Sequence, residues 1–440
     1  MRFDLACRKG ARCWILHGLL LVALTALSSG VHAADPPDSS AVADEPTGEL
    51  TLGRAVQAAL ARNPELVASE YDVRAAEARI TQAGVRPNPE LSVELENFAG
   101  TGEVKGARAL ETTLSLSQVV EMGGKRALRT EVAERDRDAI TLERQAQQLD
   151  VLADVTQRFI ELVAAQNRLN LAVTTRELSQ RTLDAISRRV EAARSPELER
   201  SRARIALTRA QIEEQQAQSE LRGMRQALAA LWGSSAPAFG NASADLFSLG
   251  SAAPFDEWVR KLERNPDFLR FASEARLREA ELKLARAQAR PDLTFGVGVR
   301  RLQESHDQAL VAGFSMPLPV FNRNQGSIRE AEVRLARNDA QRNAAFLRAR
   351  AAVYRLYQEL QASRARLDTL RADALPQAQQ ALDQTQFGYD RGRFSYLELA
   401  TAQQEMIELR AAIIEAAADY HRTLTEIERL TGEPVSVETR

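Results

Sequence analysis

The chain has 440 residues, 44% of them hydrophobic, with 58 Lys and Arg against 60 Asp and Glu. That near-neutral, slightly acidic balance argues against nucleic acid as a partner, which needs a basic face. Its two cysteines, Cys7 and Cys13, both sit at the extreme N-terminus, so the body of the chain offers no disulfide, no thiolate metal ligand and no cysteine nucleophile.

Residues 1–33 read as a secretory signal peptide. Arg2, Arg8, Lys9 and Arg12 precede an apolar run from Trp14 to Leu27, and Val31-His32-Ala33 supplies small residues for cleavage. The run is about fourteen residues, against about twenty for a spanning helix. Cleavage after Ala33 would leave 54 basic against 59 acidic residues and no N-terminal cysteine to carry a lipid. Residues 34–49 read as a polar, flexible leader, and the folded part is expected from about residue 50.

From there the chain states one sequence of landmarks twice. A first repeat, 50–240, runs through Asn63-Pro64-Glu65-Leu66, Arg86-Pro87, a strand pair at about 90–119 and a helical hairpin at about 124–232. After a linker at 241–253, a second repeat, 254–432, runs through Asn265-Pro266-Asp267-Phe268, Arg290-Pro291, a strand pair at about 291–317 and a hairpin at about 325–431, leaving a tail at 433–440. The offset is roughly 200 residues, so this is one duplicated unit rather than a solenoid.

No proline occurs from Glu90 through Ser195 or from Val320 through Leu375, which permits long unbroken helices. At 1.5 Å per residue, the stretch from about Gly124 to Arg194 makes a rod on the order of 100 Å. Pro376 predicts an interruption near Ala374 that the first half lacks. Leu149, Leu152, Val155, Phe159, Leu162, Leu169 and Val173 form a helical stripe; Leu399, Met406, Ile413, Tyr420 and Ile427 recur every seventh residue, as do Leu198, Ile205 and Ile212. Such seams suit coiled-coil packing, and a closed antiparallel bundle would explain them equally well.

The strands discriminate further. Leu91 to Glu96, Thr113 to Ser117 and Leu293 to Val299 alternate apolar and polar residues, and a weaker segment runs from about Ala309 to Met316. Alternation places one face against an apolar medium and keeps the other wet. Both a soluble sheet and membrane-spanning strands fit. In a membrane, four strands are too few to close a barrel, since the smallest use about eight, so the chain would have to oligomerise. Glu94, Glu96, Ser115 and Thr294 would then face a water-filled lumen.

Leu52 to Pro64, Arg86-Pro-Asn-Pro-Glu-Leu-Ser-Val-Glu-Leu-Glu-Asn97, Gln118 to Arg126 and Gly388 to Leu399 together resemble the outer-membrane efflux protein family of TolC-like channels, in its cobalt-zinc-cadmium efflux (CzcC-like) branch. The resemblance covers about residues 50–432. It implies a mostly α fold with a small β part: long coiled-coil helical hairpins plus four strands per chain, in a homotrimer whose 12-stranded outer-membrane β-barrel continues as a periplasmic α-barrel. It implies a periplasmic membrane-fusion adaptor and an inner-membrane resistance-nodulation-division pump as partners, outer-membrane lipid around the barrel, and passive conduction of substrate, heavy-metal cations in this branch. Ser195, Leu198, Gly388, Gly392, Ser395 and Leu397, at the hairpin tips, become candidates for adaptor docking. Asp383 and Asp390 become candidates for a pore-constricting acidic ring.

No catalytic residue, metal site or cofactor is expected. Gly123-Gly124-Lys125 lacks the frame of a phosphate loop and reads as a strand-to-helix turn. His306 and His421, without nearby His or Cys partners, read as surface residues. An exit duct for drugs or secreted substrates, a periplasmic adaptor and a soluble helical scaffold remain as alternatives.

Overall fold

The structure, a computed structural model, describes residues 45–250 and 252–432. The segment read as a signal peptide, most of that read as a leader, and the tail lie outside the described residues. The first half contains β1 (Gly48–Leu50), α1 (Leu52–Arg62), α2 (Pro64–Ala83), β2 (Glu90–Glu96), β3 (Glu111–Val120), α3 (Lys125–Glu191) and α4 (Glu197–Ala230). After β4 (Phe239–Ala242) come α5 (Phe255–Leu262), α6 (Pro266–Gln288), β5 (Leu293–Leu302), β6 (Gln308–Ser315), α7 (Gln325–Thr369), α8 (Leu375–Asp390) and α9 (Tyr396–Thr431). β1 and β4 form a short parallel pair, and β2-β3-β5-β6 an antiparallel sheet in that order.

The Asn-Pro landmarks prove to be staples. Asn63 Oδ1 caps α2 by accepting from the Glu65 and Leu66 amides at 2.9 and 3.1 Å, while its Nδ2 donates to the Leu231 carbonyl at 2.8 Å. Asn265 does the same in the second half, accepting from Asp267 N at 2.8 Å and donating to the Leu430 and Arg429 carbonyls at 2.8 and 2.9 Å. The following proline occupies the first helical position, where its missing N–H would have had no partner. One buried side chain thus satisfies the start of a helix and the end of the returning one.

α3 runs 67 residues without a break. Its counterpart is interrupted: α7 ends at Thr369, Leu370–Ala374 form a π-helical turn, and α8 restarts with Pro376 in its first turn. The wider turn removes the need for the i−4 hydrogen bond that proline cannot make.

Of the predicted stripes, Val155, Phe159 and Leu162 are buried, as are Leu399, Met406, Ile413, Tyr420 and Ile427. Leu198, Ile205 and Ile212 are not: they stand 59%, 56% and 51% exposed. α4 packs on α3 through a different face, Ala203, Leu207, Ala210, Ala217, Leu221 and Leu228, whose small side chains let the helices approach. Helix neighbours run α4–α3–α9–α7, with α6 between α3 and α7. α2 and α4 therefore lie at one edge, α7 and α8 at the other.

Candidate functional site: sheet faces and hairpin tips

Pairing across the sheet sorts its side chains into two faces. Val93, Leu114, Val299 and Leu310 form one row, and Leu91, Leu116, Val297 and Ala312 the next, followed by Gln118, Phe295 and Phe314. This apolar face is open: Val297 is 64%, Phe314 74% and Leu310 89% exposed. The opposite face carries all four residues predicted for a lumen, Glu94, Glu96, Ser115 and Thr294, with Val311 set beside Gly298. Ser92 and Ser115 hydroxyls meet at 2.7 Å. Gly298 has no room for a side chain, because a Cβ there would fall 2.7 Å from the Leu114 carbonyl oxygen.

Arg300 was missed by the alternation, which fades beyond Val299. It lies on the polar face and pairs with Glu96 and Glu111 at 3.0 Å each, while its Nε donates to Thr113 Oγ1 at 3.0 Å. These contacts partly neutralise the acidic rows.

At the other end of the strands, Gly123 and Gly124 take φ of +74° and +72°, the left-handed turn that joins β3 to α3. Lys125 binds a side chain there: its Nζ donates to Asp292 at 2.8 Å, and the Met122 amide donates to the same oxygen at 2.9 Å. Burial pushes the Asp292 pKa up, but these two bonds outweigh it and hold the carboxyl below its usual range.

The two hairpin tips meet. Ile186, Ala203, Tyr389, Tyr396 and Leu399 form a small core between them. Arg189 donates to the Tyr389 carbonyl at 3.0 Å and lies 4.6 Å from that ring's centre. Burial, then Glu199, pushes the Tyr389 phenol up; burial, then Tyr389, does the same to Tyr396.

Both rods end in the same way. Arg393 and Gly392 amides return to the Gly388 and Tyr389 carbonyls at 2.8 and 3.0 Å, and Arg194 and Ala193 amides to Arg189 and Val190 at 2.8 and 2.9 Å. This is the Schellman closure, which needs a left-handed residue. Gly392 supplies it at φ +72°, but in the first tip Ala193 must adopt +55°. Gly388 is buried under Phe394, whose ring would lie 2.1 Å from an added Cβ.

Among the remaining tip candidates, Ser195 is half-buried and Ser395 caps α9 in a reciprocal pair with Glu398. Those hydrogen bonds, the backbone one first, lower the Glu398 pKa. Leu198 and Leu397, each second in its helix, are both 59% exposed. Asp383 and Asp390 are exposed one heptad apart on α8, each held by the Gln one turn earlier.

Among the described residues no group of three or more His, Cys, Asp or Glu could hold a metal ion. His306 is exposed. His421, expected at the surface, is instead buried on α9, with Nε2 3.0 Å from the Leu246 carbonyl oxygen. The segment after β4 covers it, which no pattern within α9 could reveal.

The chain matches the family described as outer membrane efflux protein over residues 55–234 and 259–433. It is 32% identical over 392 residues to the cobalt-zinc-cadmium resistance protein CzcC of Cupriavidus metallidurans, covering 88% of this chain and 91% of that one. It is 26% identical to the nickel-cobalt-cadmium resistance protein NccC of Alcaligenes xylosoxydans xylosoxydans, over 75% and 72% of the two chains. The fold is similar to a solved structure of CusC, with a TM-score of 0.72 at 18% identity over 88% and 92% of the chains. The long helical hairpins and small sheet are thus a shared architecture, and the chain belongs to the outer membrane efflux protein family.

Proposed function

We propose that this chain is the outer-membrane channel of a tripartite efflux pump and passively conducts divalent heavy-metal cations from periplasm to exterior. The observation that carries this reading is the sheet: an exposed apolar face on one side, a charged and hydroxylated face on the other, and unpaired edges at β2 and β6. Lipid tolerates such edges only in a closed barrel. Three copies, joined head to tail between the α2/α4 edge and the α7/α8 edge, close it and cover Leu198, Ile205 and Ile212.

In this reading the chain performs no chemistry and holds no cofactor. A pump of the resistance-nodulation-division type in the inner membrane drives transport, and a periplasmic adaptor docks at the tips around Ser195, Leu198, Gly388, Gly392, Ser395 and Leu397. Asp383 and Asp390, repeated around the axis, give rings that favour cations. Metal as cargo is supported by the resistance proteins to which the chain is similar.

Deletion of the gene is expected to sensitise cells to cobalt, zinc or cadmium, with restoration by the intact chain but not by one carrying Asp383→Asn and Asp390→Asn. Unchanged metal tolerance together with sensitivity to organic toxicants would overturn the metal assignment.

A further inference from the structure

The two halves are alike enough to let one junction inside the chain serve as a template for the junction between copies. Arg86-Pro87 before β2 corresponds to Arg290-Pro291 before β5, and Leu116-Ser117 in β3 to Phe314-Ser315 in β6. This mapping can be checked within the sheet. It carries the paired residues Ser92 and Ser115 onto Gly296 and Gly313, which are themselves partners.

The third junction, β3 with β5, joins the halves, and its counterpart would join β6 of one copy to β2 of the next. The same mapping turns Ser117–Gly296 into Ser315–Ser92, Leu116–Val297 into Phe314–Val93, and Ser115–Gly298 into Gly313–Glu94. Every derived pair keeps its face: Val93 and Leu95 meet Phe314 and Ala312 on the apolar side, while Ser92 and Glu94 meet Ser315 and Gly313 on the polar side. A slip of one residue would bring Glu94 against Phe314 and bury a charge toward lipid. Strand direction agrees as well, because alternation along β2-β3-β5-β6 leaves β6 antiparallel to a following β2.

We infer that neighbouring copies are joined by β6–β2 pairing in the register Ser315–Ser92, Phe314–Val93 and Gly313–Glu94, reproducing the β3–β5 junction of the single chain. This inference rests on the ring reading above and adds the register to it.

Cysteine cross-linking tests it, since Cys7 and Cys13 lie outside the sheet and serine-to-cysteine changes are nearly isosteric. Each variant is first sized in detergent to show that it assembles like the parent. Oxidation of outer-membrane fractions carrying Ser92→Cys with Ser315→Cys should produce a reducible ladder that ends at the closed ring, whereas either single change and the parent chain should give none. Two slipped pairs, Ser92→Cys with Gly313→Cys and Glu94→Cys with Ser315→Cys, should link far less. A ladder from a slipped pair in place of Ser92/Ser315 overturns the register and leaves the ring standing. Absence of any ladder from a protein that sizes as an oligomer overturns the edge pairing. A parent chain that sizes as a single copy without detergent overturns the ring reading itself.

Discussion

Single residues show where the two halves have diverged. Ala193 and Gly392 close equivalent tips in left-handed conformations, yet only glycine adopts that region without a Cβ clash. The left-handed penalty for alanine, about 1–2 kcal/mol, exceeds the entropy a glycine adds to the unfolded chain, about 0.5–1 kcal/mol. Ala193→Gly should therefore raise stability by about 0.5–1 kcal/mol, read as a higher denaturation midpoint of the purified protein. Asp292 makes a pH-dependent prediction. Its folded pKa is lowered, so its ion pair with Lys125 stabilises the strand-to-helix junction above the ordinary carboxylate value of about 3.9 and is lost as pH falls through the folded value. Asp292→Asn should lower stability at neutral pH and reduce the loss of stability on acidification below pH ~4, measurable by unfolding across pH 2–7. An unchanged acid profile would show that the junction does not depend on this charge.

At the scale of elements, the Asn-Pro staples explain how a rod of 67 residues is fixed at its return. Asn265 is fully buried and serves the start of α6 and the end of α9 together. Asn265→Ala would orphan the Asp267 amide and the Leu430 carbonyl and leave the Arg429 carbonyl only its bond from the Gly432 amide, combining a lost cap with buried unsatisfied groups, at a cost of about 2–4 kcal/mol. Asn265→Asp should retain the cap but set an oxygen, in place of a donor, against the Arg429 and Leu430 carbonyls, and so fall below the parent in thermal unfolding. Equal stability of all three would refute the staple. The π-helical turn at Leu370–Ala374 illustrates the limits of local reading. Pro376 marks an interruption because its ring forbids a helical hydrogen bond. That the interruption takes a wider turn, with Arg371 donating to the Phe247 carbonyl at 3.0 Å, depends on a segment about 120 residues away, a separation set by the topology.

For the whole molecule, the sequence by itself determined what depends on local physics. Proline gaps set the rods, alternation set the two faces of the sheet, and duplication set the order of elements. It placed Glu94, Glu96, Ser115 and Thr294 on one face because side chains alternate with period two whatever the strand pairs with. It marked the hairpin tips, since Gly and Pro are favoured where a helix ends and the chain reverses. Tertiary structure decided what depends on neighbours distant in sequence. Tyr389 and Tyr396 enter a shared core with Ile186 only because two hairpins, roughly 200 residues apart in the chain, lie side by side. His421 is buried by the segment after β4, and Arg300 finds Glu96 and Glu111 across two strands. The Leu198, Ile205 and Ile212 seam looks like the buried one of α9, but the alanine-rich face of α4 fits closer to α3 and turns that seam outward. A heptad specifies that a face seeks a partner; only packing decides whether the partner lies in the same chain.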